Sequence, residues 1–577
     1  MVDKIPSNPG GIPPRHFVLD QVSWSHIFNF SLIFRAFRLA IQPTSLLIGL
    51  AAIMVIYTCG RALDIVWGPQ VLPGTIQQFH SPIPGYYQGM LEQQQSTQRE
   101  ELLTLLENSG QTLSPSETDQ LTRSPAACYS KLRAIYEQQF RNTVAGLSTD
   151  TILSPSDRQR AARRAGQQLL VRMERLRSVV GRGIFDALLH FEVSQFHHFE
   201  NSMLHMLCLS AVYNGDEVGG SGRVSHAITL HVLPSDVRRV WDSSSVSGSL
   251  ANLMITGPSW LLAGAEPLQK QPTDTSASFW LRRIAYEASV LIFLIVSLCA
   301  FAIAGAMICR RSALQLAGKP HDLASLWRFT HEKLRTFLMT PLLPFLTIIF
   351  TGAVLALLAL PGAIPVVGEL YVGLLFWVFL IGGFIIMLMI LGLIGGFTLM
   401  YPTVAIENSD AFDAISRSFS YVYASPWRVL FYSLLAMGYG VVTNLFLCFA
   451  LLLMLLGAHT CLSTSVSWLF HAHGWYGGVT KLSAIWPAPT WRHLVQPPNW
   501  WAMNWSEFLA AQGVYFWLYL AVSLIGAYTV AYFFCSNVII YLLLRRHLDG
   551  QSLQDIAGIP AVAAASAAEA DNDAAAP

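Results

Sequence analysis

The sequence contains few charged residues for its length. Only 12% of its 577 residues are Asp, Glu, Lys or Arg, against about 25% in an average soluble domain. Hydrophobic residues make up 53% of the chain, and the mean hydropathy is +0.44. The formal net charge is +1, so the basic excess that is typical of nucleic-acid-binding proteins is absent. This composition argues against a nucleic-acid partner and favours a membrane protein.

The sequence also lacks the short motifs of common enzyme and cofactor sites. It has no Walker A loop and no GxSxG elbow, because the Gly-Gly-Ser-Gly of residues 219–222 is followed by Arg223. None of its eight cysteines forms a CxxC pair. Cys128 and Cys208 share a polar region, and one disulfide between them stays an open alternative. We therefore expect a non-catalytic protein without a cofactor.

Long apolar runs are what the sequence has in abundance. Residues 288–309 contain no charge and are followed at once by Arg310-Arg311. Such a run is long enough to cross the roughly 30 Å hydrocarbon core of a bilayer as a helix. We predict an all-α integral membrane protein with six transmembrane helices, interfacial amphipathic helices and a mainly helical extracytoplasmic domain. The predicted spans are 44–65, 288–309, 336–360, 371–394, 428–456 and 514–544.

The basic residues near the spans predict the orientation. Arg35 and Arg38 precede the first span, Arg310 and Arg311 follow the second, and Arg545 follows the sixth. Short loops rich in Lys and Arg stay in the cytoplasm. We therefore expect both termini in the cytoplasm, the cell inner membrane as the location and the lipid bilayer as a partner.

Composition divides the chain into five regions. Residues 1–43 form a cytoplasmic N-terminus with an amphipathic helix, and 44–65 form the first span. Residues 67–286 are polar and predict an extracytoplasmic, mainly helical domain, with strand patterning only at 224–232. The five further spans lie within 288–544. A cytoplasmic tail of 545–577 is rich in Ala, Asp and Glu, which predicts disorder.

A short amphipathic segment followed by a proline precedes each odd-numbered span, which suggests three repeats of a surface helix with a two-span hairpin. Such segments suit the cytoplasmic membrane interface, and proline disfavours helix in the residue before it. In the last copy we expect Phe412, Ile415 and Phe419 to be protected. If Ser418 faces water, Ser418→Asp should cost much less than Phe419→Asp. The residues of this device are Arg35, Phe37 and Pro43; Arg328 and Pro341; and Phe412, Arg417, Phe419 and Pro426.

The segment from Gly396-Phe397-Thr398 through Tyr401-Pro402-Thr403 to Glu407, with 409–423 and Pro426-Trp427-Arg428, resembles an uncharacterised multipass family of planctomycete-type bacteria. More distantly, it is similar to the membrane domain of some glycerophosphodiester phosphodiesterases. The resemblance spans most of the membrane part and fades across 67–286. It implies the topology only, because the phosphodiesterase barrel is absent and no catalytic residue transfers.

Two further patterns are candidate sites. His190, His197 and His205 share one face of a predicted helix, and His197 with Glu200 has the i, i+3 spacing of a metal-binding pair. A solvated helix face or a polar seam between helices is favoured instead, because the histidines are about two turns apart. In the fourth span, Gly392 and Gly396 form a G-x-x-x-G contact face.

Two functions are consistent with these features. The first is a non-catalytic membrane protein of envelope organisation, assembly or sensing, whose extracytoplasmic domain binds a protein partner. The alternative is a permease or lipid-handling transporter with a pathway among spans three to six. A buried polar pathway would favour the second, and a dry, tightly packed bundle would favour the first.

Overall fold

The structure is a computed structural model. It describes residues 29–67, 86–109, 125–149, 154–206, 252–263, 277–320, 322–470 and 505–551, with short pieces at 71, 76, 117, 121, 249, 482, 485–490, 494–496 and 555–556. These residues are helical and contain no strand; one isolated antiparallel bridge joins Val71 and Arg182. The predicted strand at 224–232 lies outside the described residues. For the part of the chain described, the prediction of an all-α protein is confirmed.

A 3₁₀ turn, Asn29–Phe34, opens the described chain, and a π turn, Asn252–Thr256, precedes α7. In chain order the helices are α1 (Arg35–Ala40), α2 (Pro43–Trp67), α3 (Tyr86–Glu107), α4 (Pro125–Thr149), α5 (Pro155–Val180), α6 (Ile184–Met206), α7 (Gly257–Ala263), α8 (Ala277–Leu316), α9 (Leu323–Ala359), α10 (Val367–Glu407), α11 (Ala411–Ala424), α12 (Pro426–Phe470) and α13 (Trp505–Leu548).

Within the described ranges, six helices are long and apolar enough to cross a membrane: α2, α8, α9, α10, α12 and α13. Each contains one of the predicted spans, so the number and position of the apolar helices are confirmed. Most continue beyond the predicted ends. Helix α8 runs to Leu316 and α9 starts at Leu323, so Arg310 and Arg311 lie within a helix and not in a loop.

These two arginines are buried in the largest core of the molecule. Arg310 donates from Nη1 to the carbonyl oxygen of Ala405 at 2.6 Å, and its guanidinium lies 4.5 Å from the Phe329 ring centre. Arg311 donates to Ser45 Oγ at 2.5 Å. The core around them combines the second halves of α8, α10 and α13 with α1 and α11. Because buried charges need polar partners, the two arginines fix how α8 contacts α2 and α10.

The three proline-marked entries differ from one another. Pro43 and Pro426 begin α2 and α12, a position where the missing N–H of proline is harmless. Pro341, in contrast, lies inside the continuous helix α9 together with Pro344. The prediction that Pro341 turns the chain is therefore wrong. Apolar helices tolerate an internal proline when neighbouring turns and helices compensate for the lost backbone hydrogen bond.

The predicted domain of 67–286 forms two packing groups. Helices α3, α4 and α5 share their own core, in which Leu132 and Cys128 are fully buried; we call this group the helical unit. Cys208, the other half of the disulfide left open above, lies outside the described residues. Helices α6 and α7 instead pack against the long apolar helices. Phe185 of α6 contacts Phe293 of α8, and Phe199 shares a cluster with Val441 of α12.

Candidate functional site

Helix α6 begins on the last turns of α2. The Asp64 carboxylate accepts hydrogen bonds from the backbone N–H groups of Phe185, at 2.7 Å, and Asp186, at 3.2 Å. A carboxylate at a helix start satisfies N–H groups that have no partner inside the helix. Gly60 lies under the Phe185 ring with no room for a Cβ atom. Close packing on Gly60 and the hydrogen bonds to the Asp64 carboxylate of α2 thus fix the start of α6.

The other end of α6 is held by α12, which is itself bonded to α13. Glu200 is 5% exposed, and its Oε1 accepts a 2.6 Å hydrogen bond from Asn444 Nδ2. Thr529 of α13 donates to Asn444 Oδ1 at 3.4 Å. The neighbouring Thr443 Oγ1 accepts from Tyr528 at 2.7 Å. This row of polar groups ties α6 to the apolar bundle.

Between its two ends α6 pairs with the segment that leads into α7. Asn252 Nδ2 donates to Gln195 Oε1 at 3.2 Å, and Thr256 donates to Asn252 Oδ1 at 2.9 Å, with all three side chains buried. We call the polar contacts that link α6 to the 252–256 turn and to α12, and through Asn444 to α13, the polar seam. Buried polar side chains that satisfy one another make such a contact specific.

Glu192 lies against Gly257 at the start of α7. A Cβ atom at Gly257 would overlap the Glu192 carboxyl, with Leu188 close by. Burial raises the pKa of Glu192 to about 8, because a charged carboxylate is disfavoured away from water. The carboxyl therefore holds a proton at neutral pH.

The metal candidates do not converge. His197 Nδ1 lies 3.4 Å from Glu200 Oε2, but the same carboxylate is hydrogen-bonded to Asn444. His190 is exposed, and the side chain of His205 lies outside the described residues. Within the described ranges no three His, Cys, Asp or Glu side chains form a metal-binding group. The histidine face is therefore better explained as the exposed side of a docked helix.

The predicted interfacial helix α11 packs antiparallel on α10. Phe419, 8% exposed, fills the space above Gly392 and Gly396, and Tyr423 donates to the Leu388 carbonyl at 2.6 Å. Ser418 is fully buried, so the condition that it faces water is not met. The reason is that the glycines of α10 let the whole 418–419 edge of α11 approach its backbone.

The remaining interfacial candidates are spread over this end of the bundle. Arg417 pairs with Asp413 at 3.2 Å and lies 3.8 Å from Glu407, whereas Phe412 is 77% exposed. Arg328 is exposed and pairs with Glu332 on its own helix. In α1, Arg35 is exposed, and the Phe37 ring packs edge-on to Tyr528.

A charged cluster joins the ends of α10 and α13. The Glu407 carboxylate lies 2.8 Å from Arg545 Nε and accepts from Tyr541 at 3.1 Å. Tyr421 of α11 donates to Asp549 at 2.5 Å. Arg545 is nearly fully buried, so this pair has to be complete: removing one partner would leave a buried charge.

A cleft lies on the helical unit, between α4 and α5. It has a volume of about 390 Å³ and is lined mainly by polar side chains. Arg172 of α5 donates to Gln139 of α4 at 3.2 Å and lies 5.7 Å from the Tyr136 ring centre. Sequence reasoning missed it, because the two helices are far apart in the chain and each one alone shows only an amphipathic pattern.

Comparison with known proteins yields no match: no protein-family model, no curated protein and no solved structure is similar to the chain. The resemblance of 396–428 to a multipass family stays a prediction. The polar seam and the cleft are therefore interpreted from their own geometry.

Proposed function

We propose that this chain is a non-catalytic, multipass inner-membrane protein that binds a partner through its helical unit. The observation that carries the proposal is the attachment of α6, the helix that follows the helical unit, to the apolar bundle. Helix α6 is attached at both ends to the apolar bundle, through Asp64 and through Glu200 with Asn444. A binding module held in this way presents its surface at a fixed place, which suits envelope organisation, assembly or sensing.

The helical unit is joined to α6 by specific contacts. Val71 and Arg182 exchange backbone hydrogen bonds of 3.0 and 2.8 Å. Gln98 of α3 donates to the Val179 carbonyl at the end of α5, at 2.7 Å. The Val71–Arg182 pair joins the chain between α2 and α3 to the α5–α6 connection, and this pair supports a fixed link to α6. The Gln98 bond lies inside the unit, where it holds α3 against α5.

The proposal includes an orientation. The basic residues near the spans favour cytoplasmic termini, and the region 67–286 is then external, where an envelope partner would be met. Reporter fusions at Gln111 and at the C-terminus should report opposite compartments. The same compartment for both would contradict this orientation.

Partner binding is tested by site-specific photo-crosslinking in native membranes. A crosslinking residue at Glu100, Lys131 or Arg164 lies on the exposed surface of α3, α4 or α5. The matched control is Leu430, an exposed apolar residue of α12 that should meet lipid. We expect protein adducts from the helical unit and none from Leu430. Failure of every exposed position on the unit to give a protein adduct would refute the proposal.

The polar seam favours a second candidate, a permease or lipid-handling transporter. A buried acid among apolar helices is by default a functional group, and Glu200 is such an acid. Of the spans three to six that the sequence suggested, the seam involves the fifth and sixth, α12 and α13, together with α6. In vesicles that contain the full chain, a transporter of this kind should accelerate the exchange of fluorescent phosphatidylglycerol between leaflets, and Glu200→Gln should reduce it. Exchange equal to that of protein-free vesicles would exclude lipid transport.

A further inference from the structure

The cleft between α4 and α5 combines one cation with uncharged polar groups. Its lining includes Asn142, Thr143 and Gln168, all exposed, together with Arg172. No carboxylate is among the described residues that line it. The formal charge that these described residues present is therefore positive, which favours an anionic group on the ligand.

Arg172 is held in position without being neutralised. Its Nη1 donates to Gln139 Oε1 at 3.2 Å, and Gln139 Nε2 in turn donates to the Ser109 carbonyl at 2.8 Å. The nearby acid Glu137 pairs instead with Arg133, at 2.7 Å, and lies 3.6 Å from Arg141. Among the described residues Arg172 forms no ion pair, so its other N–H groups are available to a carboxylate.

The uncharged lining suits a peptide backbone. Amide side chains such as Asn142 and Gln168 each offer both a donor and an acceptor, and Thr143 adds a hydroxyl that does both. An extended peptide presents alternating N–H and C=O groups that need such partners. Leu169 and Phe140 provide an apolar floor. A volume of about 390 Å³ lies within the range of known ligand sites.

We propose that this cleft binds an extended acidic peptide segment, with an Asp or Glu carboxylate on the Arg172 guanidinium. The inference rests on the proposed function, because it names the chemistry of the partner that the helical unit binds. A single arginine forms a bidentate pair with a carboxylate. A phosphate, with its greater charge, is usually held by several cations or by a helix N-terminus, and the lining offers neither.

The test uses the full chain in nanodiscs of zwitterionic lipid, so that anionic lipid does not compete. The probes are the fluorescent peptide Ser-Gly-Glu-Gly-Ser-Gly-amide and its Gln counterpart, with binding followed by fluorescence anisotropy. A charged hydrogen-bonded pair predicts about tenfold tighter binding of the Glu peptide. That preference should weaken as salt is added.

Three variants assign the preference to Arg172. Arg172→Gln should abolish the difference between the two peptides, and Arg172→Lys should keep only part of it, since lysine lacks the planar fork. The matched control is Arg164→Gln, because Arg164 is exposed on the same helix but does not line the cleft. Unchanged circular dichroism and melting temperature would show that each variant is folded.

Several outcomes would overturn the inference. These are equal binding of the Glu and Gln peptides, a preference that survives Arg172→Gln, an equal loss in Arg164→Gln, or competition by inorganic phosphate at a lower concentration than by acetate. If Arg172→Gln does not fold, Gln168→Ala decides, and unchanged affinity for the Glu peptide there counts against the cleft. Failure here combined with protein adducts from Glu100 or Lys131 would leave the proposed function standing and move the partner to another face.

Discussion

The hydroxyl groups of Ser418 and Thr403 lie 3.3 Å apart where α11 meets α10. Ser418 also donates to the Ala414 carbonyl at 2.6 Å, and Thr403 donates to the Leu399 carbonyl at 2.8 Å. Each hydroxyl therefore donates to a backbone carbonyl of its own helix while it contacts the hydroxyl of the other helix. A pair of small polar side chains is what allows the two helices to approach so closely.

With Ser418 buried in this contact, a lower cost of Ser418→Asp no longer follows. Ser418→Asp should be as damaging as Phe419→Asp, because both would bury a carboxylate without a partner, at several kcal/mol. The matched control is Ser420→Asp, since Ser420 is exposed on the same helix. Melting temperatures of the purified full-length variants check this. A stable Ser418→Asp protein would mean that α11 leaves α10 and lies free.

The glycines of α10 allow a similar comparison. A Cβ atom at Gly392 would lie 2.7 Å from the Phe419 ring and from the Tyr423 hydroxyl, whereas one at Gly383 would meet nothing within 4 Å. Gly392→Ala should therefore lower stability by about 1–3 kcal/mol through overpacking. Gly383→Ala should be neutral or should stabilise by about 0.5–1 kcal/mol, because alanine favours helix. Equal denaturation midpoints for the two variants would contradict the close contact.

The cap that α2 supplies to α6 is tested at Asp64. Asp64→Ala removes the acceptor of the Phe185 and Asp186 N–H groups, and loss of a helix cap typically costs about 1 kcal/mol. We expect faster hydrogen exchange at the start of α6 and little change at its Glu200 end. Asp186→Asn is the control, because the Asp186 side chain is half-exposed and caps nothing in this contact. Unaltered exchange in Asp64→Ala would show that packing alone fixes this end.

The contact of Glu192 with Gly257 should depend on pH. The pKa of Glu192 rises from 4.5 to about 8 on folding, so the folded state binds the proton more tightly than the unfolded state. The stabilisation is complete below pH 4.5 and is lost as the pH rises through 8. Exchange protection of α7, corrected for the intrinsic rate, should fall over this range. Glu192→Gln should flatten the profile, and a profile unchanged by that variant would assign the effect to another group.

The sequence predicts the apolar helices well and their contacts poorly. Uncharged runs such as 288–309 specify a helix by length and composition alone, and the structure agrees with all six. A proline does not by itself specify where a helix begins or ends. Pro43 and Pro426 begin helices, but Pro341 is carried through one, because the turns around it decide the outcome.

The position of α6 could not be predicted. Its Glu192, His197 and Glu200 are consistent with a water-exposed face or with a polar seam between helices, and the sequence does not identify the partner helix. Each polar group finds its environment on a distant part of the chain, as Glu200 does at Asn444. The cleft has the same origin, since Gln139 and Arg172 belong to different helices. Contacts between segments that are far apart in the chain produce no periodic pattern in a single sequence.

The two ends of α6 acquire their partners at different times during synthesis of the chain. Phe185 meets a partner made 121 residues earlier, but Glu200 waits for Asn444, which lies 244 residues later in the chain. At a translation rate of about 5–20 residues per second, that interval lasts roughly 10–50 s. During this time the start of α6 can already be docked while Glu200 lacks its Asn444 partner. The last bond of this helix therefore forms only after Asn444 of α12 has been made, while α13 is still to be synthesised.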